Sequence, residues 1–237
     1  MLDRLRALRK NQPIAPAQSV GYAITLIRLA RAEEAERLLT EALTQARADD
    51  NDFWAAYAAF HRGRAFLALG RAAETEADFL AAETHWNLDP IGNRVRLGDL
   101  ERARAELDLA LGRAEQARAR IAALLTDLGF PDRRDGPVLP PTLRAAARIE
   151  LSAGSTATAE RYAQAAVELA EAVAREPEQS ADVGEALLLL GLAQRDAGNP
   201  SAARQSFQRA TVSLTNGLGA EHPLTREAKD AAASISA

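Results

Sequence analysis

Apolar residues return every three or four positions through block after block of this 237-residue chain, and almost nowhere every second position. That spacing places one apolar stripe along a helix. It predicts helices over 16–29, 32–48, 53–69, 72–86, 91–110, 113–128, 140–153, 156–174, 181–197, 200–217 and 223–235. No stretch sustains a period-two alternation of Val, Ile, Thr and Tyr, so no sheet is expected. Boundary chemistry agrees with these limits. Asp50, Asn51 and Asp52 can cap the third helix, while Pro140, Pro141 and Pro223 suit first turns, and Asn199-Pro200 opens the tenth helix. The pattern lapses at 84–96, around Asp89-Pro90 and Gly92, and again at 129–138, around Gly129, Pro131, Gly136 and Pro137. Both read as loops too short to separate independent domains. Residues 16–237 are therefore expected as one domain, with 1–15 a helix or tail before it.

The helices repeat. Gly70, Gly112, Gly154 and Gly198 each end a helical segment, at spacings of 42, 42 and 44 residues, and Ala30 holds the equivalent place 40 residues before Gly70. Columns align on that register. Seven residues earlier stand Ala23, Gly63, Ala105, Ala147 and Gly191; five later, Ala35, Thr75, Ala117, Ala159 and Ala203. Nine later stand Leu39, Phe79, Ile121, Ala163 and Phe207; twelve later, Ala42, Ala82, Leu124, Ala166 and Ala210. A glycine after the last turn takes the left-handed conformation that stops a helix. Small residues on either side let two antiparallel helices approach, and the larger residue nine positions on is expected to fill the space between helix pairs. Each unit is a helix hairpin that buries its apolar face only against stacked neighbours. The expectation is an all-α, right-handed solenoid of about five hairpins with a last capping helix.

These residues resemble the tetratricopeptide family. Leu190-Gly191, Gly198, Ala203, Phe207 and Ala210 stand at the family's Leu-Gly, Gly, Ala, Phe/Tyr and Ala positions, and Gly63, Phe66, Gly70, Phe79 and Ala82 match nearly as well. The period is longer than the family's commonest value of about 34 residues. With Gly219-Ala220-Glu221-His222-Pro223-Leu224-Thr225 before the last helix, it is similar to kinesin-light-chain-type repeats, where a Gly-x-x-His-Pro-x-Thr linker precedes the next unit. The stretch 180–227 is also similar to the C-terminal repeats of bacterial Ser/Thr protein kinases. The resemblance implies a cytoplasmic scaffold that binds a protein or peptide, as the docking or regulatory part of a signalling protein. Leu2, Leu5 and Leu8 at helical spacing fit either the last helix of an upstream unit or a short cap.

Composition narrows the function. A net charge of −4, with Lys10 and Lys229 the only lysines, lacks the basic footprint that phosphate binding needs, so nucleic acid is not expected as a partner. Without cysteine there are no disulfides, thiolate metal sites or thiol nucleophiles. The opening Met1-Leu2-Asp3-Arg4-Leu5-Arg6 has no apolar signal core, and the longest apolar run, 186–193, is far short of a membrane span. Gly-rich phosphate loops, Gly-x-Ser-x-Gly and His-x-x-x-His are all missing. His61, His85 and His222 are isolated from one another, so no catalytic residue, metal or cofactor is assigned and no enzymatic activity is expected.

In solenoids of this kind the first helix of each hairpin lines a concave groove. Groove positions are expected ten, six and three residues before the glycine column. They mark Phe60 and Arg64, then Arg102, then Arg144 and Arg148, then Leu188, Leu192 and Arg195, with Tyr57 nearby. The recurrent arginines suit carboxylates of an acidic or C-terminal peptide, although solvated helix charge is the favoured explanation of them. The Asn and Lys set of the carboxylate-clamp subfamily is missing from these positions. Self-association into homo-oligomers stands as the alternative function. The polar residues Arg226, Glu227, Lys229 and Asp230 argue against stacking at the C-terminal end.

Overall fold

The computed structural model describes residues 14–235, and α-helix dominates them with no strand present. The helices are α1 (Pro16–Arg28), α2 (Ala32–Ala48), α3 (Asp52–Ala68), α4 (Ala72–Trp86), α5 (Arg94–Ala110), α6 (Ala114–Asp127), α7 (Leu139–Ser152), α8 (Thr156–Val173), α9 (Ala181–Asp196), α10 (Pro200–Leu218) and α11 (Pro223–Ser234), with a 3-10 turn at Pro177–Gln179. The helical period thus located every element. α5 begins three residues later than the spacing predicts, because the preceding loop closes on itself. The Gly92 N–H donates to Asp89 Oδ1 at 3.0 Å, and Asn93 Nδ2 donates to the carbonyls of Trp86 and Asp89. Leu2, Leu5 and Leu8 lie outside the described residues.

The chain divides at residue 100 into two compact units. In the first, α1 packs on α2 and α3, and α3 packs on α4. Val20, Ala23, Leu26, Ala35, Leu38, Leu39 and Leu43 form its core with Ala58 and Ala65. In the second, α7 and α8 pair, α9 pairs with α8 and α10, and α11 closes on α10. Its core runs from Ala105 through Ile121, Leu143, Ile149 and Val167 to Leu187, Phe207 and Leu214.

The repeat columns are the structural skeleton. Each residue seven before, five after, nine after and twelve after the glycine register is buried. Gly70, Gly112, Gly154 and Gly198 all have positive φ, between 71° and 81°. Each hairpin turn closes in the same way: in the second, the Gly70 N–H donates to Leu67 O at 3.1 Å and the Arg71 N–H to Phe66 O at 2.9 Å. These bonds satisfy carbonyls that the helix end leaves open. Ala30 is forced into the same conformation, with φ 56°. An L-residue with a Cβ pays for that geometry by roughly 1–2 kcal/mol. Ala30→Gly is expected to stabilise the chain by about 0.5–1 kcal/mol, after the entropy that glycine returns to the unfolded chain is set against the relief. A urea midpoint that does not rise in Ala30→Gly would contradict this account.

The residue nine after the glycine was expected between hairpins, and the structure places it inside one. Phe79 lies against Gly63, and Phe207 against Gly191, each pair within a single hairpin. A Cβ on Gly191 would stand 2.5 Å from Phe207 Cε1, and one on Gly63 2.7 Å from Phe79 Cε1. Hairpins with alanine at the earlier position carry Leu39, Ile121 or Ala163 at the later one. The two columns therefore trade volume: a full ring requires no side chain opposite it.

The linker before α11 is explained residue by residue. Gly219 ends α10 at φ 96°. His222 Nδ1 accepts the Leu224 N–H at 3.2 Å, and Pro223 takes the first turn of α11. The buried Thr225 hydroxyl donates back to Gly219 O at 2.9 Å. His222 is thus a helix cap.

Candidate functional site

The expected groove residues fall in both units, three in residues 14–100 and six in 101–235, and each set is described by itself. In the first unit Tyr57 and Arg64 are half-buried. Phe60 is only 4% exposed, enclosed by Phe79 at 5.8 Å and Trp86 at 5.3 Å between ring centroids. In the second unit Leu188 is 2% exposed and belongs to the core, while Leu192 is half-buried and packs against it. Phe60 and Leu188 were expected to line the groove; they are core residues instead. The physical reason is that both fill volume between packed helices, where an apolar side chain gains most.

Arg102, Arg144, Arg148 and Arg195 of this set are matched by carboxylates. Arg102, itself buried, bonds Glu106 Oε1 at 2.9 Å one turn along α5. Arg144 reaches Asp182 at 3.2 Å and Glu185 at 3.1 Å, and Arg148 reaches Glu185 at 3.0 Å. These three contacts run from α7 to α9, so they tie one hairpin to the next. Arg195 pairs with its neighbour Asp196 at 2.9 Å. An incoming acidic peptide would have to displace a carboxylate already in place at each of these positions, which offsets most of the gain.

The same matching runs through the rest of the chain. Arg62 makes two parallel bonds of 2.8 Å to the buried Asp78, which push the guanidinium pKa above its ordinary value. Arg118 holds the buried Glu150, and Arg120 bridges Glu101 and Asp108. On the outer helices Glu171 of α8 bonds Arg209 of α10, again one hairpin to the next.

A different constellation stands out in the first unit. Seven of the eleven aromatic residues lie between positions 53 and 86. All but Phe66 pack as one cluster around α3: Phe53 and Tyr57 are stacked at 5.5 Å, Trp54 meets Tyr57 at 5.7 Å, and Tyr57 meets Trp86 at 6.0 Å. The cluster reaches the surface at Phe53, which is 38% exposed, with Trp54 and Tyr57 half-buried beside it. Arg96, in the first turn of α5, lies over two of its rings, 4.9 Å from the Phe53 centroid and 5.2 Å from that of Tyr57. The loop that leads to it carries Leu88 and Ile91, 81% and 91% exposed, and Val95 is half exposed. Of the expected site residues only Tyr57 belongs to this surface. The counting register missed the rest because Phe53 and Arg96 stand 17 and 16 residues before their glycines. The sequence signal that finds them is the local density of aromatics, which an average over the chain dilutes.

No helix among the described residues is long and apolar enough to cross a membrane. No protein-family model matches the chain, and none of the curated proteins does. Among solved structures it is similar to the crystal structure of BtubC (BKLC) from P. vanneervenii, at 16% identity and a TM-score of 0.60, over 88% of this chain and 91% of that one. That likeness concerns the fold, and it shows an all-α helical repeat of the tetratricopeptide type.

Proposed function

We propose that the chain is a non-enzymatic scaffold that binds a protein or peptide partner. The observation that carries this reading is the exposed surface of α3 and the α4–α5 loop. It presents Phe53, Trp54 and Tyr57 beside Leu88, Ile91 and Arg96, the residue types that dominate the energetic centres of protein interfaces. The tetratricopeptide-type repeat supports it, since such a fold offers long helix faces and little enclosed volume for chemistry. Function on this fold resides in the surface and not in the architecture. A docking or regulatory role in a signalling protein, in the cytoplasm, is the context we assign to it.

The test is capture. Immobilised chain is exposed to lysate, bound proteins are identified by mass spectrometry, and each candidate is purified and returned to the chain in analytical ultracentrifugation. The expected result is a stoichiometric heterocomplex with one candidate. A chain that sediments as its own dimer and forms no heterocomplex would replace this reading with self-association.

A further inference from the structure

Arg96 differs from five other buried or half-buried arginines in what it lacks. Arg62, Arg102, Arg118, Arg120 and Arg144 each hold at least one carboxylate. Among the described residues no carboxylate reaches Arg96. Its Nη1 donates to Asn93 Oδ1 at 2.8 Å and, more weakly, to Gly92 O at 3.4 Å. Among the described residues its buried Nε has no acceptor, and none is shown for Nη2. The nearby Asp89 is engaged with the Gly92 N–H. Arg94, exposed two residues earlier, has no carboxylate partner among the described residues either. The chain as a whole is acidic, and it places carboxylates on those five guanidinium groups. Leaving this one without a carboxylate, stacked on two rings and oriented by Asn93, creates a cation that is partly desolvated where it meets those rings.

A desolvated guanidinium with a free edge is a receptor for a carboxylate. Stacking on Phe53 and Tyr57 holds its plane, so less side-chain entropy is lost when the anion arrives. A carboxylate that accepts from this edge makes a charge-assisted bond, stronger than a neutral one. Leu88, Ile91 and Val95 on the approach supply apolar contact for neighbouring side chains of the same ligand. We infer that Arg96, Phe53 and Tyr57 form a docking site for a peptide segment that presents a carboxylate next to apolar side chains. This rests on the scaffold reading and names the chemistry of its partner. The carboxylate can come from an Asp or Glu side chain or from a chain terminus, and the two are separable by experiment.

The test is a display selection with a library of random twelve-residue peptides, run on the whole chain and on Arg96→Gln. Arg96→Lys and the urea midpoint of each variant serve as controls for folding. Peptides that bind the wild type are expected to be enriched in Asp or Glu beside Leu, Ile or Val. Their synthetic versions should bind about tenfold more weakly to Arg96→Gln, the scale of one lost charge-assisted bond. Replacing the acid by its amide in the peptide should cost a similar factor, and amidating the C-terminus decides whether the terminus is the group read. Arg96→Lys, which keeps the charge but not the fork, should fall between. Selected peptides without acidic enrichment, or with equal affinity for Arg96→Gln, overturn the inference and leave the scaffold reading standing. A selection that yields no binder removes both. Binding by a second copy of the chain at this patch, seen as a dimer that Arg96→Gln dissolves, also overturns it.

Discussion

Gly191→Ala is expected to destabilise the chain by about 1–2 kcal/mol, although alanine is the better helix former by about 1 kcal/mol. The added methyl would stand 2.5–2.6 Å from two ring carbons of Phe207, which is fully buried. Overpacking of this kind displaces helices or forces side chains off their rotamers, at about 1–3 kcal/mol. The sign should reverse once the ring is trimmed. In a Phe207→Leu background the pair becomes the alanine–leucine combination already present at Ala23 and Leu39, so Gly191→Ala should then stabilise. A double-mutant cycle read by urea denaturation measures the coupling. Additive effects of the two substitutions would refute the volume trade between the columns.

Arg144→Glu combined with Arg148→Glu is expected to destabilise the chain by about 2 kcal/mol, because the reversal removes three contacts and sets like charges against each other. The new carboxylates would face Asp182 and Glu185 across the α7–α9 contact. The loss should shrink in high salt, since Arg148 and Asp182 are well exposed and screened. Adding Asp182→Arg and Glu185→Arg restores opposite charges and should recover most of the stability. The swapped quadruple variant also answers a functional question. If it folds like the wild type and still captures the partner, Arg144 and Arg148 serve the joint between hairpins. If it folds but captures nothing, they touch the partner directly. Unchanged melting of the double reversal would show that the ion pairs contribute nothing to that joint.

Fold and surface were legible to different degrees. Glycine spacing located the hairpins because a helix stop has a backbone requirement that few residues meet, and Ala30 shows the requirement acting even where glycine is missing. Burial of the aligned columns followed from helical geometry alone. The register could not separate Phe60 from Arg64, since both occupy the face that was counted and only packing decides that one is core. Nor does the sequence reveal that Asp182 and Glu185 neutralise Arg144 and Arg148, because those contacts join residues 37 to 41 positions apart. Arg96 was invisible for the opposite reason. Its significance is that no carboxylate among the described residues reaches it in space, and a linear pattern of charges in an arginine-rich chain carries no trace of that.

Both tryptophans of the chain, Trp54 and Trp86, sit in the aromatic cluster of the first unit. Indole emission therefore reports the surroundings of α3 and α4, whereas far-ultraviolet dichroism weighs all the helices. Trp86 is 1% exposed and Trp54 is half-buried, so one indole reports the interior of the unit and the other its surface. The same cluster that crowds one helix with rings thus makes the molecule its own spectroscopic probe, with no label added.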